Sequence, residues 1–89
     1  MTPEARGAML LDDNYIEWYA EDEINLDLLD IGISELCILG QLYGDYFAGL
    51  DVLFYYVPED EREALGVSYG FEGSQAEWER LITSRREGK

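Results

Sequence analysis

The sequence has no histidine, one cysteine, two prolines and only six Lys and Arg among its 89 residues. Each scarcity removes a class of function. Imidazole and paired thiolates are the usual neutral-pH bases and soft metal ligands, so zinc sites and most nucleophilic triads lack their parts. The lone Cys37 cannot close an internal disulfide. Secreted domains of this size are commonly stapled by several, so a reducing, intracellular setting is expected. Long apolar runs are missing too: the longest, Val52 to Val57, falls far short of the roughly 20 residues that span a bilayer. Met1 to Leu11 carries one Arg and a short apolar patch, without the basic-then-apolar order of a signal peptide. The reading is a soluble protein that is not exported.

What is present is acid. Twenty Asp and Glu oppose the six bases, for a net charge of −14. Between Arg6 and Arg62 stand fourteen acids and no base, whereas the remainder of the chain is balanced. This contiguous anionic block repels phosphate, so direct binding of nucleic acid or of an anionic membrane is disfavoured and a basic partner is favoured. Solubility alone is the simpler reading of the acids. The chain is 47% hydrophobic and 13% aromatic, enough apolar material to argue against a disordered acidic tail. A domain this short buries only about 60 to 65% of its unfolded surface. The expectation is therefore one small domain over residues 1–89.

The pattern is helical. Thr2-Pro3-Glu4 reads as an N-cap, a proline at the first helical position and an acid in the first turn. That helix should run to about Asp12 with Ala5, Ala8, Met9 and Leu11 turned to the core. Tyr15 to Ile33 shows no clean period and reads as irregular, with one short turn near Asn25 to Leu29. Ser34 is a candidate N-cap for a central helix in which Leu36, Leu39, Tyr43, Phe47, Leu50 and Phe54 recur at steps of three or four, as in a buried stripe. The preferred reading carries this helix through Gly44 at least; the alternative ends it near Gly44-Asp45 and makes a strand of Val52 to Val57. Gly40 and Gly44 suggest a packing or turn role, since glycine costs about 1 kcal/mol in a helix interior. Pro58 and three acids open a short helix that Gly66 can close. Ser74-Gln75-Ala76-Glu77 has the form of a capping box, Trp78, Leu81 and Ile82 an apolar face, and Arg85, Arg86 and Gly88 an ending. The fold class is mainly α: a bundle of three to four short helices with irregular connections.

No residue set carries chemistry. Asp27 to Gly32 has the wrong register for a calcium loop, and Gly40 and Gly44 have no lysine nearby to meet a phosphate. Cys37, between Leu36 and Ile38, reads as a small core residue. No catalytic, cofactor or metal residue is assigned, and a non-enzymatic protein is expected. Tyr and Trp beside carboxylates suit Arg-rich partners through ion pairing and cation–π contact together. The candidate partner-binding residues are Glu17, Trp18, Glu21, Asp22, Glu23, Asp27, Asp30 and Asp45.

The run Cys37-Ile38-Leu39-Gly40-Gln41-Leu42-Tyr43-Gly44-Asp45-Tyr46, followed by Gly49-Leu50, resembles a family of small uncharacterised proteins of actinobacteria and of the bacteriophages that infect them, mycobacteriophages included. Ala8 to Asp12, Trp18, Ile24 to Asp30, Tyr69-Gly70-Phe71 and Trp78 are similar to that family's pattern. Some relatives carry a second cysteine just ahead of the motif; here Ser34 and Glu35 stand there, so no cysteine-pair role is carried over. The resemblance brings no established activity. It implies a phage accessory protein in the host cytoplasm that binds and modulates a host protein, and this is the leading expectation. The alternatives are a nucleic-acid mimic that inhibits a DNA-binding host protein, fourteen carboxylates standing in for about a turn of duplex phosphates, and a small virion or assembly component.

Overall fold

A computed structural model of the protein describes residues 1–88. The order is α1 (Pro3–Asn14), α2 (Ile38–Tyr43), α3 (Tyr46–Leu53), a 3₁₀ turn (Glu59–Glu61), α4 (Arg62–Ser68) and α5 (Gln75–Arg86). The fold is mainly α, and no strand forms among the described residues. Thr2 Oγ1 caps α1 by accepting from the Ala5 N–H at 3.0 Å. Ala8 and Leu11 face inward, whereas Met9, expected in the core, is half exposed.

The expected central helix is two helices. Gly44 leaves the helical region at φ +104°, where residues with a Cβ are strained. Asp45 then starts a new helix, its carboxylate accepting from the Ala48 N–H at 2.8 Å. The break falls where the alternative reading placed it, but helix follows and not strand. Restarting the helix changes its phase, so Phe47 leaves the apolar stripe and is exposed while Tyr46 is buried. Cys37, not Ser34, caps α2: its sulfur accepts from the Gly40 N–H at 3.3 Å. Ser34 instead accepts from the Tyr46 N–H at 3.1 Å, at the start of α3. Gly40 is required sterically, because a Cβ there would overlap the backbone of Ser34 and Glu35.

Gly66 does not close the fourth helix. It lies inside α4, which runs to Ser68, because the Tyr46 ring and Leu50 pack against its bare Cα. Helix α5 begins as expected, with Ser74 Oγ accepting from the Glu77 N–H at 3.2 Å. The reciprocal half of the box is supplied from elsewhere: the Ser74 N–H donates to Glu4 Oε2 of α1 at 2.7 Å, and Glu77 is turned to Arg80.

The acidic stretch between α1 and α2 has no long regular element, yet its backbone groups find partners on the helices. From α2, Gln41 accepts from the Asn25 N–H at 2.7 Å and donates to Asn25 O at 3.2 Å and Leu36 O at 3.0 Å. Gln75 of α5 donates to Leu29 O at 2.8 Å and accepts from the Ile31 N–H at 3.1 Å. Arg86 donates to the carbonyls of Tyr19 and Ile24. Two glutamines and an arginine thus add to the segment's own turn bonds, satisfying the Asn25 and Ile31 N–H groups and the Tyr19, Ile24 and Leu29 carbonyls, which would otherwise need water. The core under this clamp joins Trp18, Ile24, Leu29, Leu39, Phe54, Phe71, Trp78 and Ile82.

Candidate docking surface

Seven of the eight residues expected to meet a partner are acids, and they do not all share one setting. Glu17, Glu21, Asp22, Asp27 and Asp30 are exposed. Glu21 and Asp27 line one shallow cleft beside Arg86, while Asp30 turns back to accept from the Gly32 N–H at 2.9 Å. Glu23 is half-buried and accepts from the Tyr15 hydroxyl at 2.7 Å. That contact holds the phenol protonated, pushing its pKa up to about 12. Asp45 is occupied as the cap of α3.

Trp18 is a correction. It is 0% exposed, crossing Trp78 edge to face at 5.9 Å between centroids. Its indole N–H donates to Asp12 at 2.8 Å, and the Arg85 guanidinium covers its ring at 5.8 Å. The ring was expected to face a partner; it is the core beneath the acidic segment. Burying an aromatic of this size is worth more to a short chain than exposing it.

The aromatics that do face solvent lie around α3 and the turn that follows it. Phe47 is 54% exposed, Tyr55 75% and Tyr56 67%. Arg62 fixes that turn. Its guanidinium donates to the carbonyls of Phe54 at 3.1 Å, Val57 at 3.0 Å and Tyr55 at 3.2 Å, and pairs with Asp51 at 2.9 Å. With its donors spent on the chain's own backbone, Arg62 offers little compensation to Glu59, Asp60, Glu61 and Glu63 beside it.

Two clefts meet at Phe47. The larger, about 560 Å³, runs past Ile31, Cys37 and Tyr46 to Glu63 and Glu72; none of its lining residues is basic. The smaller, about 250 Å³, is bounded by Asp51, Glu59, Arg62 and Glu63. Phe47 and Glu63 are walls of both. In the larger cleft Tyr46 donates to Glu72 at 2.7 Å, and burial together with that carboxylate holds the phenol protonated. Burial also raises the Cys37 thiol pKa, which keeps it a neutral thiol and a poor nucleophile. The cleft combines an apolar floor, neutral donors and carboxylates, a setting that accommodates an organic cation better than it activates a nucleophile. No group of three or more metal-ligating side chains converges among the described residues. Nor is any helix among them long and apolar enough to cross a membrane.

The sequence places Phe47 in the buried stripe and names Trp18 as the aromatic of the docking surface, so the exposed Phe47, Tyr55 and Tyr56 are not among its candidates. Phe47 emerges through the phase change at Gly44-Asp45, for which Gly44 and the capping carboxylate of Asp45 are the local clues. Comparisons of the chain with protein-family models, curated proteins and solved structures find no match.

Proposed function

We propose that this chain is a non-enzymatic bacteriophage accessory protein that binds and modulates a basic host protein through its acidic, aromatic-bearing surface. The observation that carries the reading is charge left uncompensated by folding. Of the fourteen acids between Arg6 and Arg62, only Asp51 and Asp12 make ion pairs among the described residues, with Arg62 and Arg85. Of the other described bases, Arg6 lies against Ser68 and Tyr69 and Arg80 pairs with Glu77, while Arg86 reaches the block but spends its donors on the Tyr19 and Ile24 carbonyls, so most of the block's field is available to an incoming partner. The similarity of the Cys37-to-Tyr46 run to actinobacteriophage proteins supports placing that partner in a host cytoplasm.

Capture from actinobacterial lysate on immobilised protein tests this. A discrete basic protein retained at low salt and released by moderate salt is the expected result; recovery of background alone counts against it. Duplex DNA added at constant ionic strength distinguishes a nucleic-acid mimic, whose target it displaces. Stoichiometric presence in purified particles would move the protein to a role in assembly.

A further inference from the structure

Resting on the docking reading above, we infer that the paired clefts around Phe47 form the specific contact, and that their occupant is an arginine side chain of the partner polypeptide. Charge and shape both point there. Phe47 stands half exposed as the wall shared by the two clefts. Glu63 is common to both, Glu59 lies on one side and Glu72 on the other. The one cation at the site, Arg62, is committed to Asp51 and to three backbone carbonyls.

A guanidinium fits this arrangement better than an ammonium. It is planar and weakly hydrated, so it can lie on the Phe47 ring while its edge N–H groups reach a carboxylate in a forked contact. An ammonium is compact and strongly hydrated and gains less from the ring face. The aliphatic stem of the arginine would cover Ile31 and the Tyr46 ring in the larger cleft. Long-range attraction by the whole acidic block brings a basic partner near, and the Phe47 clefts select arginine from lysine.

Fluorescence anisotropy with two labelled probes tests the assignment: a peptide of alternating glycine and arginine, and the same peptide with lysine in place of arginine. The intact protein should bind the arginine peptide more tightly. Phe47→Ala should weaken that peptide about two- to fivefold, the size of an exposed cation–π contact, with a smaller change for lysine. Phe47→Leu keeps apolar bulk without a π face and should lose the arginine preference in the same way. The double variant Glu59→Gln/Glu63→Gln should weaken both peptides more than Asp22→Asn/Asp27→Asn, which removes equal charge elsewhere. All of these positions are exposed, and circular dichroism should report an unchanged fold. Equal losses in the two double variants, or an arginine preference that survives Phe47→Leu, would overturn the cleft assignment while leaving the docking reading in place. Failure of both peptides to bind at low salt would overturn both readings.

Discussion

Asp12 accepts from two different groups at once. The Trp18 indole donates to one of its oxygens at 2.8 Å, and Arg85 grips both, at 3.0 and 2.8 Å. The Arg85 hydrogen bond is the main reason its pKa lies below the ordinary 3.8, with the Trp18 bond adding to the effect and partial burial opposing it. A carboxyl whose folded pKa is depressed binds protons more readily when the chain unfolds. Its stabilising contribution is therefore complete above the unfolded value and is lost as pH falls through the folded one. Asp12→Asn keeps an oxygen for the indole but removes the charge facing Arg85. At neutral pH the variant should be less stable by about 1 kcal/mol, the scale of a partly exposed, forked ion pair after solvent screening. Thermal melts followed by tryptophan fluorescence across the acid range should show the gap closing as the wild-type carboxyl protonates. A gap that stays constant through that range would assign the effect to packing around Trp18 and not to charge.

At the scale of elements, the starts of the first and last helices were the most legible part of the sequence, because a cap is a local device. Thr2 and Ser74 each accept from an N–H three residues on, where α1 and α5 were expected to begin. The partner that completes the second cap was not legible: Glu4 is seventy residues away from Ser74 in the chain. Ser74→Ala should cost about 1 kcal/mol, as for a lost N-cap, and Glu4→Ala about 1 to 3 kcal/mol for a half-buried donor left without its acceptor. Because both changes fray the same first turn of α5, the double variant should cost less than the sum in urea denaturation. Strict additivity would mean the two bonds act independently. The stripe from Leu36 to Phe54 misled for a related reason. Steps of three and four continue across Gly44-Asp45, so periodicity alone cannot detect a helix that stops and restarts. The irregular segment shows the converse case: its lack of a period is visible in the sequence, whereas the source of its order is not. Gln41 supplies that order from α2. Gln41→Ala should leave the Asn25 amide to water, while the Asn25 and Leu36 carbonyls keep the Leu28 and Asp30 N–H donors, and accelerate hydrogen exchange at Asn25 well beyond that at α5. Unchanged exchange there would show that burial of Ile24 and Leu29 suffices to hold the segment.

For the whole molecule, the charge asymmetry was plain in the sequence, whereas its distribution over the surface depended on which few bases fold back onto it. The body measures 36 × 25 × 22 Å. Screening lengths are about 30 Å at 0.01 M salt and 10 Å at 0.1 M, so at low salt nearly every acid feels every other. Salt weakens the three ion pairs among the described residues as well as the repulsion, but a net charge of −14 makes repulsion the larger effect. Stability should therefore rise with salt, and about 1 kcal/mol of relieved repulsion corresponds to roughly 5 °C in Tm for a chain of this length. The same screening should loosen a basic partner, since attraction across the interface decays with the same length. Tm and Kd measured over one salt series are thus expected to increase together, a firmer protein binding more weakly. If Tm rises while Kd holds constant, the acids act on the fold alone and apolar contact through Phe47, Tyr55 and Tyr56 would have to carry binding. If both stay flat, the carboxylates are dispersed widely enough that neither the fold nor the partner responds to their summed field.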